Sequence, residues 1–297
     1  MSKETLNIVK KFLNSYSIET TPNVYAKYGG FTDFLDKTHD VYITYLPDEN
    51  SKNVINTAKK LKDEGYEVIP HLPARTIINE NELEKYVGDL ANESGCNKIL
   101  IIGGGGNQAG NISSTMDVLK SDLLSKFNYK FVGVAGHPEG SPDISNQNLD
   151  LAINEKNNFA KNVDFQMYIA TQFFFEAKSL IDWEKHLTTL GNNLPIHAGI
   201  PGPASIKTLI NYARSCGIGN SLRFITKQAF NLTKLATLNT PDKLMYDLAD
   251  YSHKNIDSRL SKIHFYAFGG IKKTSDWLNN LENSNFIYNS SKQFETE

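Results

Sequence analysis

Cysteine is nearly absent: two residues, Cys96 and Cys216, in a chain of 297. Both fall in segments that read as helix or helix ends, so a disulfide framework is not expected and a reducing compartment fits. Neither stands at a strand end, which argues against thiol chemistry. Charge of one sign is lacking too, since 31 Lys and Arg meet 33 Asp and Glu for a formal charge of −2. No global field then favours a nucleic acid or an acidic membrane, and a small molecule is the default ligand. No stretch approaches the roughly 18 apolar residues of a membrane span. The opening "MSKETLNIVKKFLNSY" reads as an amphipathic helix with no apolar signal core. The expected location is the cytoplasm.

What is present is core material and alternation. Hydrophobic residues make up 40% of the chain and charged residues 22%, an ordinary globular balance. Eight short apolar, β-branched runs recur: "YSIETT" (16–21), "DVYITYL" (40–46), "YEVIPHL" (66–72), "KILIIGG" (98–104), "KFVGVAGH" (130–137), "QMYIATQ" (166–172), "LPIHAGI" (194–200) and "IHFYAFG" (263–269). Segments of helical period separate them. Strand and helix in strict alternation predict a (β/α)8 TIM barrel, with a doubly wound open sheet as the competing layout. The expectation is one domain over 1–297, with an extra N-terminal helix, a helical insertion over 219–262 before the last strand, and a polar tail at 289–297.

Side chains alternate along a strand, so Ile18 can face the helices while Glu19 points into the barrel near its mouth. The same count puts Thr44, His71, the glycines from 103, His137 and Gln172 at the ends of the next five strands. Each alone has a bland reading, as ion-pair partner, satisfied core histidine or helix cap. Together they mark the rim where barrel enzymes keep their chemistry.

Other signals are weaker. "GGGGNQAG" (103–110) carries G-x-G-x-x-A at Gly104, Gly106 and Ala109, but the next strand ends in His137, where a dinucleotide fold wants an acid. Four glycines still let a flat or phosphorylated ligand approach the backbone. His71, His137, His197 and His264 lie on strands without metal-ligand spacing. "PEGSPD" is not a nucleophile elbow.

"GVAGHPEGSPD" (133–143), "ATQFFFEA" (170–177), "HAGIPGPASIKTLINYA" (197–213), "PHLPAR" (70–75) and "HFYAFGG" (264–270) together resemble methylenetetrahydrofolate reductases, in the family's order and spacing. "SIETTP" looks like the first-strand motif of its shorter bacterial branch. The resemblance implies a barrel that holds FAD, with NAD(P)H and a folate as substrates, in the one-carbon metabolism that feeds methionine biosynthesis. It places Glu19 as general acid and Gln172 as the residue holding the pterin. Thr44, His71, Gly104, Gly105, His137, Ser141, Asn154 and Lys156 fall at FAD contacts. Tyr212 falls at a substrate-stacking aromatic, and Thr208 replaces a substrate-binding Gln. The sequence departs from the family at Gly105, which stands where the family has Asp, and at Asn157 and Asn158, where basic residues are usual. The departures keep two alternatives open, a folate-binding barrel without redox activity and a flavin-independent reductase. Self-association of the chain is also open.

Overall fold

The computed structural model describes residues 3–105, 107–215 and 238–296. Gly106, Cys216 and the 219–262 insertion as far as residue 237 lie outside the described residues. The expected N-terminal helix is α1 (Lys3–Leu13), which buries Thr5, Val9, Phe12 and Leu13 along one face. The barrel strands are β1 (Ser17–Thr20), β2 (Asp40–Ile43), β3 (Glu67–Pro73), β4 (Lys98–Ile102), β5 (Phe131–Gly136), β6 (Gln166–Thr171), β7 (Ile196–Pro201) and, after the short strands β8 (Ala204–Ser205) and β9 (Leu238–Asn239), β10 (Leu260–Tyr266). The helices that follow α1 are α2 (Pro22–Tyr28), α3 (Ser51–Asp63), α4 (Glu80–Asn92), α5 (Thr115–Leu119), α6 (Leu123–Lys126), α7 (Asn146–Ala160), α8 (Ala177–Thr189), α9 (Ile206–Ser215), α10 (Asp242–Lys254) and α11 (Ile271–Glu282).

Hydrogen bonding closes the strands in the order β1-β10-β7-β6-β5-β4-β3-β2 into a parallel (β/α)8 barrel. All eight runs read from the sequence are its strands. The last ends earlier than expected, at Tyr266, because the Tyr266 carbonyl accepts the N–H groups of Gly202 and Phe268, each at 2.8 Å, and the chain turns away.

Contacts concentrate in two units, Met1–Ile18 with His137–Ala152 and Thr171–Glu297, and Glu19–Gly136 with Ile153–Ala170. In the second, Tyr42, Ile69, Leu100, Tyr168 and Ala170 form one buried cluster, and the Tyr42 and Tyr168 hydroxyls meet at 2.8 Å. Gly133 makes room for this pair: a Cβ there would lie 2.7 Å from Tyr168 Cζ. At the amino ends of the strands, Lys98 bridges Asp40 at 2.9 Å and Glu67 at 3.3 Å, and Lys62 joins Glu67 at 3.0 Å. Charges at that end of a barrel serve stability.

In the first unit, Phe173 and Phe175 pack with Ala204, Ile206, Leu209, Ile210 and Ala213. The three phenylalanines lie in the connection before α8 rather than in the helix, which begins at Ala177. Of the insertion, the described part contains β9 and α10. The stretch read as a polar tail, 289–297, is folded as far as it is described. β12 (Phe294–Thr296) pairs antiparallel with β11 (Phe286–Tyr288), and the Phe294 N–H donates to Asp242 at 3.3 Å. Tyr288 stacks on Tyr246 at 4.0 Å, so apolar rings hold a segment whose composition looks solvated.

Candidate functional site

Glu19 is the third residue of β1, half-buried between the buried Ile18 and Thr20. Thr44 follows β2 directly. Its N–H donates to the Thr20 carbonyl at 2.9 Å, and its hydroxyl donates to Glu19 Oε1. The backbone bond brings the two strand ends together, and the side-chain bond orients the carboxylate. Just after Thr20, Thr21 caps α2 by accepting the Val24 N–H at 3.2 Å, with Pro22 opening the helix. The "ETTP" stretch thus ends a strand and starts a helix within one residue, which leaves Glu19 little freedom.

His71 is buried, with its ring edge-on to Tyr42 at 6.1 Å, and its carbonyl accepts the Tyr86 hydroxyl at 2.9 Å. The alternation that buries Tyr42 and Ile69 in the cluster carries Thr44 and His71 to the same side. In the glycine loop, Gly104 takes φ +83°, and a Cβ there would sit 3.1 Å from Pro73 Cβ. Gly110 has a different reason: its Cβ would lie 1.8 Å from the Ile78 carbonyl oxygen. The loop is clasped there by backbone bonds from Arg75 to Gly103, Ala109 to Arg75 and Asn111 to Ile78, at 2.8–3.0 Å. Part of the glycine content therefore serves chain packing. A Cβ at Gly105 would meet nothing within 4 Å, so that position faces open space.

On α7, Asn154 is half-buried and Lys156 buried. Lys156 makes no ion pair or hydrogen bond with the described residues, and desolvation pushes its pKa down to about 8, against a smaller opposing effect of Glu155. Asn157 turns its amide back onto its own helix, to the Ile153 carbonyl at 3.0 Å.

In the other unit, His137 and Ser141 bracket a turn. The Gly140 N–H donates to the His137 carbonyl at 3.0 Å, with Gly140 at φ +80°, a conformation glycine adopts without strain. The Gly140 carbonyl accepts Gln172 Nε2 at 3.0 Å. That acceptor fixes which end of the carboxamide is nitrogen. Glu139 accepts the Ser179 hydroxyl from the first turn of α8 at 3.2 Å. One turn thus joins His137, Ser141 and Gln172, an association the sequence spacing did not reveal.

Thr171, beside Gln172, is buried and accepts the Gly199 N–H on its hydroxyl at 2.8 Å. The Thr-Gln pair at the strand end thereby divides its work: Thr171 ties β6 to β7 and Gln172 reaches the turn. Thr208 is drawn to Ser205, hydroxyl to hydroxyl at 2.8 Å, and Ser205 caps α9 by accepting the Thr208 N–H at 3.2 Å. Tyr212 is 41% exposed and stacks on Phe268 at 4.0 Å with the rings 18° apart. Phe268 was missed as a site residue; only its place in "HFYAFGG" pointed to it. His264, considered above for metal, lies 3.0 Å from the Ser17 hydroxyl through Nδ1. A cavity of 240 Å³ lined by Phe175, Lys178, Pro201, Asn239, Lys243 and Asp247, among others, contains none of the candidates.

Chemically, this set offers an oriented carboxyl group, an anchored carboxamide, an aromatic face and a buried cation. Residues 35–268 match the family MTHFR, methylenetetrahydrofolate reductase. Methylenetetrahydrofolate reductase 2 of Saccharomyces cerevisiae is 28% identical over 192 residues, and methylenetetrahydrofolate reductase 1 of Schizosaccharomyces pombe is 27% identical over 193. Each alignment covers 59% of this chain, but 30% and 29% of the two yeast proteins, so the chain matches about a third of their length. Among solved structures, CbXyn10B in native form overlays with a TM-score of 0.45 and 7% identity, covering 90% of this chain and 88% of that one. Deoxyribose phosphate aldolase from Aeropyrum pernix overlays at 0.40 and 10%, covering 95% and 99%. Neither likeness bears on function. The family match runs from before β2 to just past the end of β10, across most of the barrel, and the chain belongs to the methylenetetrahydrofolate reductase family.

Proposed function

We propose that this protein is a cytoplasmic oxidoreductase of folate one-carbon metabolism, interconverting 5,10-methylenetetrahydrofolate and 5-methyltetrahydrofolate with FAD as cofactor and NAD(P)H as co-substrate. Within the family, the observation that carries this reading is the Glu19 carboxylate held by the Thr44 hydroxyl at adjoining strand ends. A positioned acid contributes typically 10²–10⁴-fold to a proton-transfer step. Here Glu19, in its protonated form, donates the proton that opens the five-membered ring of methylenetetrahydrofolate, leaving an iminium carbon as hydride acceptor. Gln172, its amide nitrogen committed to Gly140, presents its carbonyl oxygen to the donor edge of the pterin. Tyr212 offers a half-open ring to the aromatic part of the folate.

The residues fit FAD. A buried lysine with no carboxylate partner among the described residues suits a diphosphate, which would restore the charge balance that desolvation disturbs. Gly104 and Gly105 bring backbone to a flat ligand without side chains in the way. Thr44, His71, His137, Ser141, Asn154 and Lys156 would complete the holding set. FAD, when bound, supplies the hydride chemistry. Without a carboxylate at Gly105, less negative charge would lie near a bound reduced flavin, which would favour a raised potential and the oxidation of methyltetrahydrofolate.

A second reading, a folate-binding barrel without redox activity, draws support from Asn157, whose amide is engaged within its own helix where the family usually has a basic group. The visible spectrum separates the two: bound oxidised flavin absorbs at about 450 nm. Under the main reading the protein is yellow, bleaches with NADH or NADPH, and reoxidises with methylenetetrahydrofolate. Glu19→Gln then keeps the reductive half-reaction and loses roughly 10²-fold or more in the folate half-reaction. Equal losses in both halves would make Glu19 structural, and a colourless protein that still binds folate would favour the second reading.

A further inference from the structure

Tyr266, the last residue of β10, touches the surroundings of both proposed folate contacts. Its hydroxyl donates to the Thr171 carbonyl at 3.0 Å, on the peptide that leads into Gln172. Its ring stacks on Phe268 at 5.5 Å and 22°, and Phe268 in turn stacks on Tyr212. Phe173, immediately after Gln172, closes the loop edge-on to Tyr266 at 5.5 Å and to Phe268 at 4.7 Å. Gly199 keeps the path open, because a Cβ there would lie 2.4 Å from the Thr171 carbonyl oxygen and 2.7 Å from Tyr266 Cε2. The Tyr266 carbonyl is itself held by two N–H groups, so the residue has little freedom to yield.

We infer that Tyr266 is a positioning residue that couples Gln172 to Tyr212, so that the pterin and the aromatic part of a folate are gripped as one rigid unit. The inference rests on the folate-binding reading above. Mechanically, the hydroxyl bond fixes the peptide before Gln172, while the ring fixes the platform behind Tyr212. Displacement at one contact is felt at the other through three stacked rings and one hydrogen bond. Close-packed aromatic groups transmit such shifts because they have no slack to absorb them.

The test is a double-mutant cycle on the full chain, reading the dissociation constant of 5-methyltetrahydrofolate by equilibrium titration. Gln172→Ala and Tyr212→Leu are measured singly and together, first in the native background and then with Tyr266→Phe. In the native background the two losses deviate from a simple product by at least about threefold, the scale of contacting residues. In Tyr266→Phe they multiply, and folate binding weakens by up to about tenfold, the range of one hydrogen bond. Phe268→Leu keeps the hydroxyl bond and removes only the stacked link, and it too must abolish the coupling, which covers the case in which Tyr266→Phe folds poorly. Native protein that binds folate, with coupling unchanged in both variants, overturns the inference alone. Native protein that binds no folate overturns the functional reading and this inference with it.

Discussion

Lys156 is 6% exposed on α7, and its ammonium has lost hydration without gaining a carboxylate contact among the described residues. Burial lowers its pKa from 10.5 to about 8. That displacement corresponds to about 3 kcal/mol carried by the folded protein as an unfavourable charge. Methionine has similar length and no charge, so Lys156→Met removes the penalty and keeps the packing. The pH dependence follows from proton counts. Below about pH 8 the folded and unfolded chains both carry the proton, and the penalty is complete. Between about pH 8 and 10.5 the unfolded chain binds a proton that the folded one lacks, so native stability rises with pH and the variant's advantage fades. Urea unfolding of the cofactor-free protein at pH 7, 8.5 and 10 measures this. The variant is expected to gain up to about 3 kcal/mol at pH 7, with water penetration reducing the figure, and to approach the native value by pH 10. If Lys156 holds FAD as proposed, FAD affinity moves oppositely, weakening in the variant and, for the native protein, as pH rises through 8. A variant no more stable at pH 7, or an advantage independent of pH, would show that the ammonium is compensated and refute the reasoning.

Two further outcomes concern glycines. Gly105→Asp meets no atom at its Cβ, so melting should be unchanged, while under the proposed FAD reading a carboxylate there would lower the flavin midpoint potential by an amount on the order of tens of millivolts; an unchanged potential in a redox titration would remove Gly105 from the cofactor's surroundings. Gly133→Ala drives a methyl group to 2.7 Å from Tyr168 Cζ, where the Tyr42 hydroxyl bond prevents retreat. Overpacking of this kind costs about 1–3 kcal/mol in urea or thermal unfolding, and an unaltered midpoint would mean that the tyrosine pair can move.

The barrel was legible because its cause is local. Each strand announces itself by β-branched runs such as "KILII", and each helix by spacing such as Val54, Ile55, Ala58 and Leu61, so alternation survives without any knowledge of what touches what. The placement of Glu19, Thr44 and His71 along their strands was legible for the same reason, since a period of two tells which strand residues share a face. The C-terminal hairpin was not, because Phe294 is held by Asp242 and by rings more than five residues away, while its own neighbours are polar.

Chain order alone therefore settled the alternation of the eight barrel strands with helices, and motif order pointed to the family. Folding in three dimensions decided which groups became partners: Thr44 with Glu19, Gln172 with the Gly140 carbonyl, Thr208 with Ser205, and Tyr212 with Phe268. Periodicity is a property of neighbours along the backbone, whereas a hydrogen bond across 32 residues or a stack between separate connections depends on loop closure and packing, which no short window contains.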